Sequence, residues 1–239
     1  MNFSSPRGIL EYMKPFNPTT ECGMAAYVYL APLPDSEPTT PVYPQARWQQ
    51  ILGCNSERVR KEKYHVWRLL AYALQARYGK KLTDLQFTCK NGKWECDICH
   101  FSLSHSHGVL CVAVADFPIG ADVEKITMPS DSLAVKILSD EELQRYHGMP
   151  KLEKAEYFTR IWTRRESLFK QVGGMGFFTT ETKGYTKEER IEINGEKYVV
   201  CIATPAPASM QVEKVLINPM EEFTDEFTKE EQQETEEKL

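Results

Sequence analysis

Asp122 and Glu124 stand two residues apart in the segment Gly120-Ala-Asp-Val-Glu-Lys125. On a strand, that spacing puts both carboxylates on one face and turns Val123 to the other. Two like charges held so close invite a hard divalent cation. Mg2+ takes oxygen ligands from a few carboxylates and completes its shell with water and substrate phosphate. The same spacing suits two solvated residues at a sheet edge, and the pair alone does not choose between the readings.

A second set lies in Trp162-Thr-Arg-Arg-Glu-Ser-Leu-Phe-Lys170. On a helix, Arg165 falls near the middle of the apolar stripe made by Phe158, Ile161, Trp162, Leu168, Phe169 and Val172, while Glu166 and Lys170 are neighbours along one edge. A guanidinium buried there must be paired, either with a carboxylate in a structural ion pair or with an anionic ligand. The third set is Phe101-Ser-Leu-Ser-His-Ser106, where hydroxyls and an imidazole cluster in a composition suited to phosphate oxygens. A serine nucleophile with a histidine base is the rival arrangement. It lacks a Gly-x-Ser-x-Gly elbow, and adjacent strand residues point to opposite faces.

These residues need elements to position them. Alternation at residues 25–30 predicts a strand, the proline-rich stretch 31–44 a loop, and residues 58–78 a helix stopped by Gly79 and carrying Arg58, Arg60, Lys61, Lys63 and Arg68. A short strand is expected at 85–88, with a turn at Asn91-Gly92. Residues 109–115 read as a buried strand that turns at Asp116-Phe-Pro118 and returns over 119–126 as a β-hairpin. Helices are expected from Asp131 or Ser139 through Tyr146, and from 154 to 172 with Gly173-Gly174 at the end. Asn194-Gly195 marks a hairpin over 190–203, and one more strand is expected at 211–217. Strands and helices together predict an α+β fold.

The chain has 239 residues with 41% hydrophobic content, enough to bury a core without disulfides or a structural metal. No window approaches the ~20 apolar residues of a membrane span, and residues 1–11 lack a secretory layout, so a cytoplasmic, non-membrane protein is expected. Seven cysteines, an odd number, point to thiols rather than a disulfide framework. The net charge of −5 argues against a nucleic-acid partner. Charge is segregated, however, between a basic stretch from Arg47 to Lys81 and an acidic one from Glu221 to Leu239, the latter too poor in apolar residues to fold alone. The basic run either faces a polyanion or is a solvated helix face. Cys96-Asp-Ile-Cys99-His100 fits the haem-attachment signature, which requires an exported protein. Zinc held by Cys89, Cys96, Cys99 and His100 would have a spacing outside the usual paired knuckles, and incidental thiols are the plainer reading.

The three sets occur in an order and spacing that resembles the Sfp-type 4'-phosphopantetheinyl transferases. That family carries Phe-Asn-x-Ser-His-Ser before a strand, then a Gly-x-Asp-x-Glu strand, then a Trp-x-x-Lys-Glu-(Ser/Ala)-x-x-Lys helix. The resemblance covers about residues 91–176 and implies two similar α+β halves related by a pseudo-twofold, with coenzyme A between them. The division suggested is 1–108 for the nucleotide-side half, 109–220 for the half with the metal and catalytic motifs, and 221–239 for a disordered tail.

By position, the resemblance makes Asp122, Glu124 and Glu166 the Mg2+ ligands, and Ser104 and His105 contacts to the coenzyme A phosphates. Lys93 resembles the family's lysine near the nucleotide, and Lys170 matches the motif's last lysine. Arg165 would add positive charge at the phosphates, and Lys63 and Arg68 are the choices for the 3'-phosphate. Glu166 and Lys170 are then the catalytic pair. Three departures stand out: Ser102 for asparagine, Trp94 for the proline after Lys93, and Arg165 for lysine. The activity implied is transfer of 4'-phosphopantetheine from coenzyme A to a serine of an apo acyl or peptidyl carrier protein by a monomer, releasing adenosine 3',5'-bisphosphate. A metal-dependent phosphohydrolase of coenzyme A-like diphosphates, and a coenzyme A-binding protein without catalysis, are the alternatives.

Overall fold

The computed structural model describes residues 24–90, 92–173 and 184–215. Strand β1 (Ala25–Pro32) leads through the proline-rich loop to a short helix α1 (Gln45–Leu52) and the long helix α2 (Glu57–Tyr78). Ser56 caps α2 by accepting from the Val59 amide, and Gly79, at φ 65°, ends it by donating to the Gln75 carbonyl. The loop before α2 is tied down by side chains of the helix itself: Trp67 Nε1 donates to the Tyr43 carbonyl (2.7 Å), and His65 Nε2 bonds the Ser36 carbonyl (2.8 Å).

Strands β2 (Phe87–Lys90) and β3 (Lys93–Cys96) form a two-stranded ribbon. Next come β4 (His100–Ser106), β5 (Val109–Ala115) and β6 (Gly120–Lys125), then helices α3 (Asp131–Ile137), α4 (Asp140–Gly148) and α5 (Lys151–Gln171). Strands β7 (Tyr185–Ile193), β8 (Glu196–Thr204) and β9 (Ser209–Lys214) complete the described chain. One sheet runs β4-β5-β1-β9 and another β6-β8-β7, so helix and sheet are mixed as expected.

The two sheets face each other. Strand β5 is buried along its whole length because alternate residues enter different cores. Leu110, Val112 and Val114 meet Val66, Leu70 and Leu74 of α2. Val109, Cys111 and Ala113 meet Ala121 and Val123 of β6 and Val200 and Ile202 of β8. On the far side of the second sheet lies α5, whose Ser167 contacts Cys201. Helices α3 and α4 pack Ile137, Leu138 and Tyr146 against Phe158 and Ile161 of α5. The layers are thus helix, sheet, sheet, helix.

The predicted hairpin of residues 109–126 does not form. Strand β5 pairs with β4 and β1, whereas β6 pairs with β8, so Asp116-Phe-Pro118 carries the chain from one sheet to the other. The apolar run matched a hairpin arm because β5 is buried on both faces, a pattern that does not reveal its partner. The Asn194-Gly195 hairpin does form, with both residues at positive φ (52° and 76°) as a tight turn between twisted strands requires. Helix α1 and strands β3 and β4 were not foreseen as elements. Of the expected features, Asn91, Gly174, the end of the last strand at Ile217 and the acidic segment 221–239 lie outside the described residues. Among the described residues no helix is long and apolar enough to cross a membrane.

Candidate active site

Strands β4 and β6 are the facing edges of the two sheets, and serines join them. Ser102, Ser104 and Ser106 alternate along β4, so all three hydroxyls point to β6. Ser102 Oγ accepts from the Ala121 amide (2.9 Å), Ser104 Oγ from that of Val123 (3.4 Å) and Ser106 Oγ from that of Lys125 (3.4 Å). An edge strand that would otherwise leave these amides unpaired is satisfied by side chains instead. The same hydroxyls donate to carboxylates: Ser104 to Asp122 Oδ1 at 2.7 Å, and Ser106 to Glu124 Oε2 at 2.6 Å.

Helix α5 approaches this edge closely. A Cβ on Gly120 would collide with the Ser167 carbonyl oxygen and the Gln171 amide. The α5 face against the sheet is correspondingly small: Thr159, Thr163 and Ser167 are buried there, four residues apart. Thr163 and Ser167 return their hydroxyls to carbonyls of their own helix, those of Thr159 and Arg164. The apolar stripe read from the sequence therefore splits. Phe158 and Ile161 face α3 and α4, Phe169 lines a cavity, and Val172 is exposed.

This close packing brings Lys170 to Asp122, with Nζ donating to Oδ1 at 2.6 Å and to Ser104 Oγ at 3.0 Å. Asp122 is 2% exposed, and its Oδ2 is buried without a hydrogen-bond partner among the described residues. Glu124 receives Trp162 Nε1 (3.4 Å) besides Ser106. Burial, and then the charge of Asp122, push the Glu124 carboxyl up to about 7 against the pull of those hydrogen bonds. Burial also raises Glu166, with Lys170 opposing and Asp122 adding to the shift.

Ser104, Asp122, Glu124, Trp162, Glu166 and Lys170 all line one cavity of about 550 Å3. Asp122, Glu124, Glu166 and Lys170 form one end, and Lys63, Lys93 and Arg47 bring positive charge to it, with Val66, Trp94 and Phe101 supplying apolar wall. Lys93 Nζ donates to the Lys170 carbonyl (2.7 Å) and the Gln171 carbonyl (3.4 Å), so it caps the last turn of α5 from the β2-β3 ribbon. Desolvation lowers its pKa, with Glu95 opposing. Lys63 Nζ lies 3.2 Å from Cys54 Sγ. His105 sits in the lining with Nδ1 at 3.2 Å from Glu62 Oε2, and Glu62 is held in turn by Arg58 Nε at 3.0 Å. Burial depresses the His105 pKa, Glu62 raising it and Lys170 lowering it further.

Two of the expected nucleotide contacts lie elsewhere. Arg165 pairs with Glu142 Oε2 at 2.6 Å and with the Ile137 carbonyl, and it does not line the cavity. The structural ion pair is thus the arrangement present. Arg68 lies over the Tyr64 ring at 5.8 Å, also outside the lining. Ser104 does line the cavity, but its hydroxyl is engaged by Asp122, Lys170 and the Val123 amide.

The residue the sequence did not single out is Arg47. It is 6% exposed, stacks 4.8 Å over the Trp67 ring, donates from Nη2 to the Lys63 carbonyl (3.0 Å) and keeps Nε without a partner among the described residues. Burial pulls its pKa down to about 10, which leaves it charged at neutral pH. Only its place in a basic stretch hinted at this.

Among the described residues no three potential metal ligands stand together as a ready-made cage. The acidic end nonetheless fits a hard cation that brings most of its shell with it. Asp122 Oδ2 is an orphaned buried acceptor, and the Glu124 carboxyl is raised by burial and then by the negative charge of Asp122, which a cation would offset.

Residues 118–206 match the family model described as the 4'-phosphopantetheinyl transferase superfamily. The chain is 33% identical over 85 residues to the 4'-phosphopantetheinyl transferase psf-1 of Bacillus pumilus, covering 34% of this chain and 36% of that one. It is 29% identical over 109 residues to the 4'-phosphopantetheinyl transferase Sfp of Bacillus subtilis (strain 168), covering 44% and 49%. To the 4'-phosphopantetheinyl transferase gsp of Aneurinibacillus migulanus it is 27% identical over 96 residues, covering 40% and 35%. The chain spans less than half the length of each of these relatives. The superfamily segment takes in β6 and α5, the elements that carry Asp122, Glu124, Glu166 and Lys170, and β8, which pairs with β6. Over that part of its length the chain is similar to the Sfp-type 4'-phosphopantetheinyl transferases.

Proposed function

We propose that this chain transfers the 4'-phosphopantetheine group of coenzyme A to a serine of an apo acyl or peptidyl carrier protein, releasing adenosine 3',5'-bisphosphate. The observation that carries the reading is one cavity joining carboxylates to fixed cations: Asp122, Glu124, Glu166 and Lys170 with Lys63, Lys93 and Arg47. A diphosphate ester needs both, since phosphoryl transfer is served mainly by positioning and charge neutralisation.

Asp122, Glu124 and Glu166 are the residues to hold Mg2+, which when bound supplies positive charge to the diphosphate oxygens. Lys170 is delivered by α5 to the same end and offers its ammonium to the transferred phosphoryl group. Glu166, raised by burial and free of hydrogen bonds from the described residues, is the base for the serine proton. Lys93 fixes the end of α5 and with it the position of Lys170. Glu62 holds His105 through Nδ1, which leaves Nε2 to meet a phosphate oxygen.

Two similar halves related by a pseudo-twofold belong to the same proposal. Strand, helix, then hairpin recurs as β1, α2, β4-β5 and as β6, α5, β7-β8, and in each set the first strand pairs antiparallel with the last. We place the boundary after β5, which pairs with β1, rather than at residue 108.

The test is incubation with coenzyme A, Mg2+ and several apo carrier proteins, read by intact mass. At least one carrier should gain phosphopantetheine, and Asp122→Ala and Glu166→Gln should reduce the rate by at least about a hundredfold with unchanged circular dichroism. Breakdown of coenzyme A without transfer to any carrier, or normal transfer by either variant, would refute the reading.

A further inference from the structure

Cys96 ends β3 and Cys99 stands just before β4, with Asp97 and Ile98 making the bend between them. Their sulfurs are 3.6 Å apart. Closing to the ~2.05 Å of a disulfide needs only a small local shift. The two thiols are chemically unequal. Cys96 is partly exposed, and its side-chain hydrogen bond with Cys99 outweighs burial and lowers its pKa to about 7. Cys99 is 7% exposed and pushed up, first by the same hydrogen bond and then by burial. A reactive thiolate beside a buried thiol is the arrangement of an exchanging pair. A zinc site is not completed, because no group of three potential ligands stands together among the described residues.

We propose that Cys96 and Cys99 form a reversible dithiol–disulfide pair whose oxidation state shapes the adjoining wall of the cavity. A crevice of about 150 Å3 beside the sulfurs is lined by Lys93, Trp94 and Phe101, which also line the large cavity. Among the described strands β3 pairs only with β2, so a pull on Cys96 is not resisted by a wider sheet. It is transmitted along β3 to Lys93, bonded to the last carbonyls of α5, and to Trp94, whose Nε1 donates to Gln50 Oε1 at 3.0 Å.

The oxidant is a low-molecular-weight disulfide. The Cys96 thiolate attacks one of its sulfurs, forming a mixed disulfide and releasing one thiolate. Cys99 gives its proton to solvent, and its sulfur attacks Cys96 Sγ and displaces the second thiolate. Two protein thiols are oxidised and one small disulfide is reduced to two thiols. A dithiol reductant reverses the sequence.

The full chain is equilibrated in graded ratios of oxidised to reduced glutathione, acid-quenched, alkylated and mapped by peptide mass, with hydrogen exchange measured on the same samples. Cys96 and Cys99 should lose alkylation together while Cys89 keeps it. Cys99→Ser should stop at a mixed disulfide on Cys96, and Cys96→Ser should leave Cys99 alkylatable only after denaturation. Exchange should change in both β3 and the last turn of α5. Three results each overturn the proposal: both thiols alkylatable at every ratio, the same mixed disulfide in wild type and Cys99→Ser, or a disulfide that leaves exchange in β3 and α5 unchanged. None of these readouts depends on the transfer reaction.

Discussion

Glu124 is held at about 7 by burial and by Asp122, well above the ~4.3 of a solvated glutamate. Between those values the metal-free native state keeps a proton that the unfolded chain has released. The stability from this group is therefore full below the lower value and lost as pH rises through about 7, with a ceiling of roughly 4 kcal/mol. Melting the metal-free protein between about pH 5 and pH 8 should show a decline that Glu124→Gln removes, and Mg2+ should offset the decline by favouring the charged form. A decline as steep in the glutamine variant would assign it to other groups. Arg165 calls for the opposite kind of test. Since it pairs with Glu142, Arg165→Ala should cost about 1–2 kcal/mol in denaturant melts while leaving KM for coenzyme A within about twofold. A large rise in KM with unchanged stability would return Arg165 to the nucleotide. At this scale the Asp-x-Glu pair was legible because strand period alone fixes its geometry. Arg47 was not, because its burial depends on Trp67 and the Lys63 carbonyl, which only the fold brings near.

Helix α5 reaches its working distance because Gly120 has no side chain and because Thr159, Thr163 and Ser167 are small. Gly120→Ala should force α5 outward, costing about 1–3 kcal/mol and displacing Glu166 and Lys170 together, so that transfer falls more than tenfold. Melting curves and rates measured on the same preparation check this, and wild-type activity would show that the helix has slack. The serines of β4 make a second test at this scale. Ser102→Ala leaves the Ala121 amide unpaired and should destabilise by about 1–3 kcal/mol without touching the carboxylates. Helices α2 and α5 and the β7-β8 hairpin were legible because their periods, caps and turn residues agree. The β5-β6 hairpin misled because Asp116-Phe-Pro118 reads as a turn, and a turn signal does not say whether the chain stays in its sheet. The serine spacing of β4 was visible in the sequence, but its meaning needed β6 alongside.

At the scale of the whole molecule, the two sheets share one core, in which Val109, Cys111 and Ala113 meet Val123, Val200 and Ile202. Neither sheet can open without exposing the other, so thermal unfolding should be one transition by far- and near-ultraviolet circular dichroism alike. Two separated transitions would mean that the halves fold independently. The α+β class followed from mixed periodicities, whereas the facing of the sheets did not, because inner and outer residues of β5 are equally apolar. That facing sets β4 against β6 and so makes the cavity. The claim that most depends on it is that the carboxylates of β6 and α5 hold the metal at one end of a coenzyme A site. Crystals grown with coenzyme A and Mn2+ in place of Mg2+ test this directly through anomalous scattering. A peak is expected within coordination distance of Asp122 and Glu124, with diphosphate density beside it and Lys170 released from Asp122. A peak elsewhere, or coenzyme A bound in the cavity with the carboxylates free of metal and Lys170 still paired, would contradict it.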